Sequence, residues 1–115
     1  MTVHTMRLKP TPFAMIASGQ KTVELRLNDE KRRLVSVGDE IIFSRTDGEA
    51  ILRCRVIALH PFSSFAELYR AFPPTVLGYT AEESDSASPT DMDAYYSKEE
   101  QAKYGVLGIE IVKLS

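Results

Sequence analysis

The chain has 115 residues, enough for one domain around a single hydrophobic core without disulfide or metal staples. Its 14 Lys and Arg against 16 Asp and Glu give a formal net charge of −2, which excludes a global basic field for nucleic acid, so any such binding has to be local. A lone cysteine excludes an internal disulfide, and neither a signal peptide nor an apolar run near the ~20 residues of a membrane span occurs, so the expected compartment is the cytoplasm, with no membrane partner.

In chain order, Val3 to Leu8 reads as a first strand. Thr11 is placed to N-cap a short helix with Pro12 in its first position, where a missing N–H costs nothing, and Phe13, Ile16 and Ala17 form the inward stripe. Gly19 ends that helix, and a strand follows over Thr22 to Asn28. Asn28 to Arg33 is polar and without period, a loop or a helical turn. Gly38-Asp39 opens a strand through Ile41, Ile42 and Phe43, Thr46 to Glu49 makes a hairpin turn, and Ala50 to His60 returns as a long strand. Its inward residues are Leu52, Cys54, Val56 and Ala58, which makes Cys54 a small buried hydrophobe rather than a nucleophile.

Pro61 lacks a backbone donor, so that strand is expected to stop near His60. Ser64 with Glu67 forms a capping box for a helix carrying Phe65, Leu68, Tyr69 and Phe72, which Pro73-Pro74 stops. Ala81 to Pro89 is too polar to pack and is expected to be a mobile loop. Ser97 with Glu100 caps a last short helix, Gly105 ends it, and Leu107, Ile109 and Ile111 alternate on a closing strand. The pattern is that of an α+β chain of about five or six strands with short helices between them, and by itself it does not separate a barrel from an open sheet.

The stretch from Ser18 to Asp29 is the richest in chemistry. Val23, Leu25 and Leu27 alternate with Thr22, Glu24, Arg26 and Asn28, so one strand face is apolar and the other carries a charged, hydrogen-bonding row. The same spacing fits an ordinary amphipathic strand with a surface Glu24/Arg26 pair, and spacing alone leaves both readings open. Lys21, Arg26, Lys31, Arg32 and Arg33 make this region basic, whereas Thr80 to Glu100 is acidic apart from Lys98. A basic rim facing an acidic segment would gate a cleft; two ordinary solvated surfaces have the same composition. His4 and His60 are far apart, no His-x-His or Cys-x-x-Cys pair occurs and no glycine-rich phosphate loop is present, so no metal or cofactor is expected. His60 reads as a strand-end hydrogen-bonding residue.

The run Gly19-x-Lys21-x-x-Glu24-x-Arg26 resembles the G-x-K-x-x-E-x-R signature of the ASCH domains, relatives of the PUA RNA-binding barrel. Three further landmarks are similar to small bacterial ASCH proteins, in the same order: Val37-Gly38-Asp39 ahead of Glu40 to Phe43, Phe62-Ser63-Ser64-Phe65-Ala66-Glu67-Leu68 at a helix start, and Tyr95-Tyr96-Ser97 ahead of Tyr104-Gly105-Val106. The resemblance spans nearly the whole chain, residues 1–115 as one domain. It implies a small PUA-like β-barrel with short helices covering one opening, and a polar cleft on the motif strand for RNA or a nucleotide-like ligand.

In such a cleft Lys21 offers a point charge for phosphate or a carbonyl, and Arg26 a planar fork for phosphate or a base edge. Glu24, its pKa lowered by two cations, would orient them or accept from a base amino group. Asn28 both donates and accepts, which suits a base edge, and Arg33 adds a further cation. Tyr95, Tyr96, Tyr79 and Phe62 are stacking candidates, and each tyrosine also suits the core.

The resemblance implies an enzymatic alternative as well. Some small ASCH proteins similar to this one are amidohydrolases that remove the acetyl group from N4-acetylcytidine, using a lysine at the position of Lys21, a threonine three residues on and a downstream glutamate. Here Glu24 stands where the hydroxyl nucleophile is needed, leaving Thr22 on the same strand face as a substitute and Glu99 or Glu100 as the nearest downstream acids. A ribonuclease in which Lys21 and Arg26 stabilise a phosphorane-like transition state, and a protein-interaction module, complete the alternatives.

Overall fold

A computed structural model describes residues 1–114. Five strands form one mixed sheet: β1 (Val3–Leu8), β2 (Val23–Leu27), β3 (Glu40–Arg45), β4 (Ile51–Phe62) and β5 (Val106–Lys113), in the order β1-β3-β4-β5-β2. β1 and β3 run parallel; the other pairs are antiparallel. Helices α1 (Pro10–Ala17), α2 (Phe65–Ala71) and α3 (Lys98–Tyr104) fill the connections, with 3-10 turns at Arg32–Leu34, Pro74–Leu77, Ser84–Ser86 and Pro89–Ala94.

β4 is long enough to serve both halves of the sheet. Ile51 to Arg55 pair with β3, while Cys54 to Phe62 pair with β5. Between Val56 and Ala58 the register slips by one residue, a bulge at Ile57 that bends the strand and exchanges its faces beyond that point. Strict alternation puts Ala58 inward; the bulge instead sets Leu59 opposite Ile109 and against the core. The strand also runs on past His60, with Pro61 opposite Leu107. β3 no longer lies alongside there, so the proline ring meets an unpaired edge and no ladder bond is lost. The sheet curls into a half-barrel whose edge strands are β1 and β2.

Two cores form on its two faces. On the inner face Met6, Leu8, Ile41, Phe43, Cys54 and Ile109 pack beneath Phe13 and Ile16 of α1. On the outer face Val23, Leu25 and Val106 lie under Phe65 and Leu68 of α2 and Leu77.

The start of α1 is set by proline rather than by a hydroxyl. Lys9 occupies the N-cap without a side-chain bond and Pro10 begins the helix, so the expected start at Thr11 and Pro12 is displaced N-terminally. Ser64 caps α2 through the Glu67 amide as expected, yet the Glu67 carboxylate accepts from the Ser63 hydroxyl instead of returning to the cap, leaving half a capping box. The Ser97/Glu100 box on α3 is complete. Ala81 to Pro89 buries no residue, as its polarity requires, but it is not a featureless loop. Thr80 and Glu83 bond each other's amides, Ser84–Ser86 makes a turn, and a Ser88/Asp91 capping box opens Pro89–Ala94. Among the described residues, no helix is long and apolar enough to cross a membrane.

Candidate functional site

Both faces of β2 are covered. The apolar side sits under α2, and the polar side points into the half-barrel, with Glu24 opposite Ile109 and Arg26 opposite Leu107. A carboxylate in that position needs counter-charges to stay ionised. Glu24 is 3% exposed; its Oε1 receives Lys21 Nζ at 2.9 Å, and its Oε2 receives Arg26 Nη2 at 2.7 Å and Nε at 2.9 Å. The Leu25 amide adds a bond to Oε1 at 3.3 Å. Burial pushes the Glu24 carboxyl up, but the charges and hydrogen bonds of Lys21 and Arg26 outweigh it and hold the pKa at about 2. For the Arg26 guanidinium, burial pulls the other way and the Glu24 charge overrides it, so its pKa is raised.

Arg26 has a second task. Its Nη2 donates to the Arg7 carbonyl at 3.0 Å, across the seam between the two edge strands. Lys21 is delivered by the turn after α1, where its amide bonds the Met15 carbonyl, and its chain passes over Gly78. A Cβ at Gly78 would lie 3.0 Å from Lys21 Cδ, and the backbone there has φ +107°, so glycine satisfies two requirements at once.

Over the triad opens a cleft of about 650 Å³. Arg7, Lys9 and Met15 line one side; Tyr69, Tyr79, Asp91, Met92, Tyr95 and Tyr96 line the other. The Tyr69 and Tyr79 hydroxyls lie 2.9 Å apart, and Tyr79 donates to Asp91 at 2.7 Å. Burial pushes both phenols up, so they remain protonated near neutrality. Tyr96 stacks on Phe65 with centroids 6.1 Å apart, and Lys9 Nζ lies 5.2 Å from the Tyr95 ring centroid across the mouth. A shallower depression on α1, lined by Pro10, Thr11, Ala14, Met15 and Ser18, has no charged side chain.

The family model of the ASCH domain matches residues 6–115. The chain belongs to the ASCH domain family. This ASCH domain is similar to the crystal structure of hypothetical protein PH0355, with 31% identity and a TM-score of 0.80 over 99% of this chain and 100% of that one. It is similar to the solution NMR structure of protein PF0455 from Pyrococcus furiosus, with 30% identity and a TM-score of 0.73 over 100% and 99% of the two chains. A mutant ASCH protein from Zymomonas mobilis shares the fold, at 17% identity and a TM-score of 0.59 over 93% of this chain and 65% of that one. The architecture is thus the PUA-like one of the family. No curated protein matches the chain significantly.

The ASCH cleft gathers Lys21, Glu24, Arg26, Tyr79, Tyr95 and Tyr96. It does not gather Thr22, whose backbone bonds Val76 and Ile111. Asn28 and Arg33 also fall outside it. β2 ends at Leu27, and beyond it the Asn28 amide bonds Gly105 while Arg33 donates to the Asn28 and Tyr104 carbonyls, tying the loop to the end of α3. Glu99 and Glu100 are exposed on α3, with Glu100 engaged in its cap, and Phe62 packs edge-on against Phe72 in the outer core. Of the basic stretch only Lys21 and Arg26 line the cleft, and of the acidic stretch only Asp91, so no basic rim faces an acidic one across it. His60 bonds Glu110 at 2.9 Å, the hydrogen-bonding role expected of it, though from within β4 rather than at its end. Arg7, Lys9, Tyr69 and Asp91 are cleft residues that the sequence did not single out; only Asp91 carries a local signal, as the acid of the Ser88 capping box.

Proposed function

We propose that the cleft binds a nucleotide unit, either free or as one splayed residue of an RNA strand. The observation that carries this reading is the buried, ionised Lys21–Glu24–Arg26 triad at the base of a tyrosine-lined cleft of about 650 Å³, within the usual size of small-ligand sites. Tyr95 and Tyr96 offer flat faces for a base, and Arg7 and Lys9 place positive charge at the rim, where a phosphate stays partly hydrated. Such local charge is compatible with the net charge of −2.

Binding is favoured over acetyl hydrolysis because Glu24 stands in place of the hydroxyl, is ionised, and has both oxygens engaged, while Thr22 lies outside the cleft. Calorimetric titration with nucleoside 5′-monophosphates and a short single-stranded RNA at low salt tests the reading. Saturable binding is expected, weakened about ten-fold or more by Lys21→Ala and by Arg26→Ala, which corresponds to about 1.4 kcal/mol each. Release of cytidine from N4-acetylcytidine by the wild-type protein would replace it with the hydrolase reading; neither binding nor turnover would leave a protein-interaction module.

A further inference from the structure

We infer that the base of this cleft selects a nucleobase bearing keto oxygens and disfavours adenine, an inference that rests on the nucleotide-binding reading above. It comes from counting which hydrogen-bonding groups of the triad are still free. Glu24 has little to offer: Oε1 is paired with Lys21 and accepts from the Leu25 amide, and Oε2 accepts from Arg26 Nε–H with Nη2 packed 2.7 Å away. The expectation that Glu24 accepts from a base amino group is therefore set aside. Arg26 commits Nε–H to Glu24 and a hydrogen of Nη2 to the Arg7 carbonyl, with Nη2 also held 2.7 Å from Glu24 Oε2 as an ion pair, leaving the hydrogens of Nη1. Lys21 commits one ammonium hydrogen to Glu24, and its remaining hydrogens are free among the described residues. The carbonyl of Arg7 is taken as well.

The free groups of the triad are thus donors only, and they belong to two cations held against the two oxygens of one carboxylate. A keto oxygen has two lone pairs and can receive both cations together. Uracil, cytosine and guanine each carry such an oxygen. Adenine carries none; its exocyclic amino group is itself a donor, and each ring nitrogen has a single lone pair. A phosphate is a poorer occupant of the same place, because it would set its charge beside the buried Glu24 carboxylate and among Met15, Leu77 and Met92. It belongs instead at the rim with Arg7 and Lys9.

The four 5′-monophosphates compared by calorimetry on the wild-type protein, at one salt concentration, test this without any substitution, since ribose and phosphate are constant. Uridine, cytidine and guanosine monophosphates are expected to bind about ten-fold or more tightly than adenosine monophosphate. Lys21→Met, with its fold verified by thermal melting, is expected to shrink that ratio toward one, and a ratio unchanged in a folded variant would overturn the role given to Lys21. Equal affinity for all four would overturn the selectivity while leaving nucleotide binding intact. Failure of all four and of short RNA to bind would be a failure of the nucleotide-binding reading itself.

Discussion

Replacing Glu24 by Gln keeps the shape of the side chain and removes its charge. Lys21 and Arg26, with side chains 9% and 13% exposed, would then remain in the half-barrel without their counter-ion. Removing one partner of a buried ion pair costs roughly 3–5 kcal/mol. The depressed pKa of the wild-type carboxyl points to a similar magnitude: lowered from 4.5 to about 2, at roughly 1.4 kcal/mol per pH unit, it corresponds to about 3 kcal/mol of stability. Because the folded value lies below the unfolded one, that stability is fully present above pH 4.5 and is lost as the pH falls toward 2.

Urea unfolding followed by circular dichroism near neutral pH should therefore place Glu24→Gln about 3–4 kcal/mol below wild type, a large part of the roughly 5–15 kcal/mol available to a domain. The gap should narrow as the pH is lowered through the acid range. Asp39, whose carboxyl is held at about 2 chiefly by the His4 hydrogen bond and by the Ser36 and Thr2 amides, titrates in both proteins and cancels from the difference. A variant within about 1 kcal/mol of wild type near neutrality, the scale of an exposed pair, would refute the buried-triad argument. So would a gap that stays constant into acid.

Gly78→Ala should lose about 1–2 kcal/mol from left-handed strain, and it should weaken nucleotide binding by displacing the Lys21 chain 3.0 Å away; melting curves and calorimetry check the two effects separately. Tyr95→Ala should leave stability within about 0.5 kcal/mol, because the residue is 59% exposed, while reducing nucleotide affinity in the same titration. Arg7→Ala and Lys9→Ala should each lower the log–log salt slope of RNA binding by about one if each side chain contacts a phosphate; an unchanged slope places the phosphates elsewhere. Cys54 is fully buried, and burial pushes its thiol up to about 11, so near pH 8 a thiol reagent should label it only as fast as the protein opens, and labelling at the rate of the denatured chain would contradict that placement.

The features legible in the sequence were those that leave a mark on residue type. Leu107, Ile109 and Ile111 advertise a strand by their period, and Gly19 and Gly105 mark helix ends that adopt positive φ. The bulge at Ile57 leaves no such mark, so the inward residue after Val56 could not be read. Pro61 misled for a related reason: its missing donor ends a strand only where a neighbour needs that donor, and neighbours are set by topology. At the site, alternation correctly grouped Glu24 and Arg26, and the family motif added Lys21, which strict alternation would have put on the opposite face; alternation carries no information on which face turns inward. Pairing with β5 decides that, sending the apolar side outward to α2 and the charged side toward the core. Asn28 was lost because alternation was carried past the end of β2, and Arg33 because charge alone does not say where a loop without period carries it. Arg7, Lys9 and Asp91 come from segments distant in sequence, and nothing local announces that they meet.

The half-barrel has no backbone ladder between β1 and β2, and the Arg26 guanidinium reaches across that gap to the Arg7 carbonyl. One rigid plane therefore acts as a clasp on one side and, on the nucleotide-binding reading, as a reader on the other. A lysine in its place could not reproduce this, since a single ammonium lacks the fixed fork that holds Glu24, Arg7 and a ligand in separate directions. On the nucleotide-binding reading, a ligand that draws on Nη1 would pull on the same plane that closes this gap, so the width of the barrel and the occupancy of the cleft would share one mechanical coordinate.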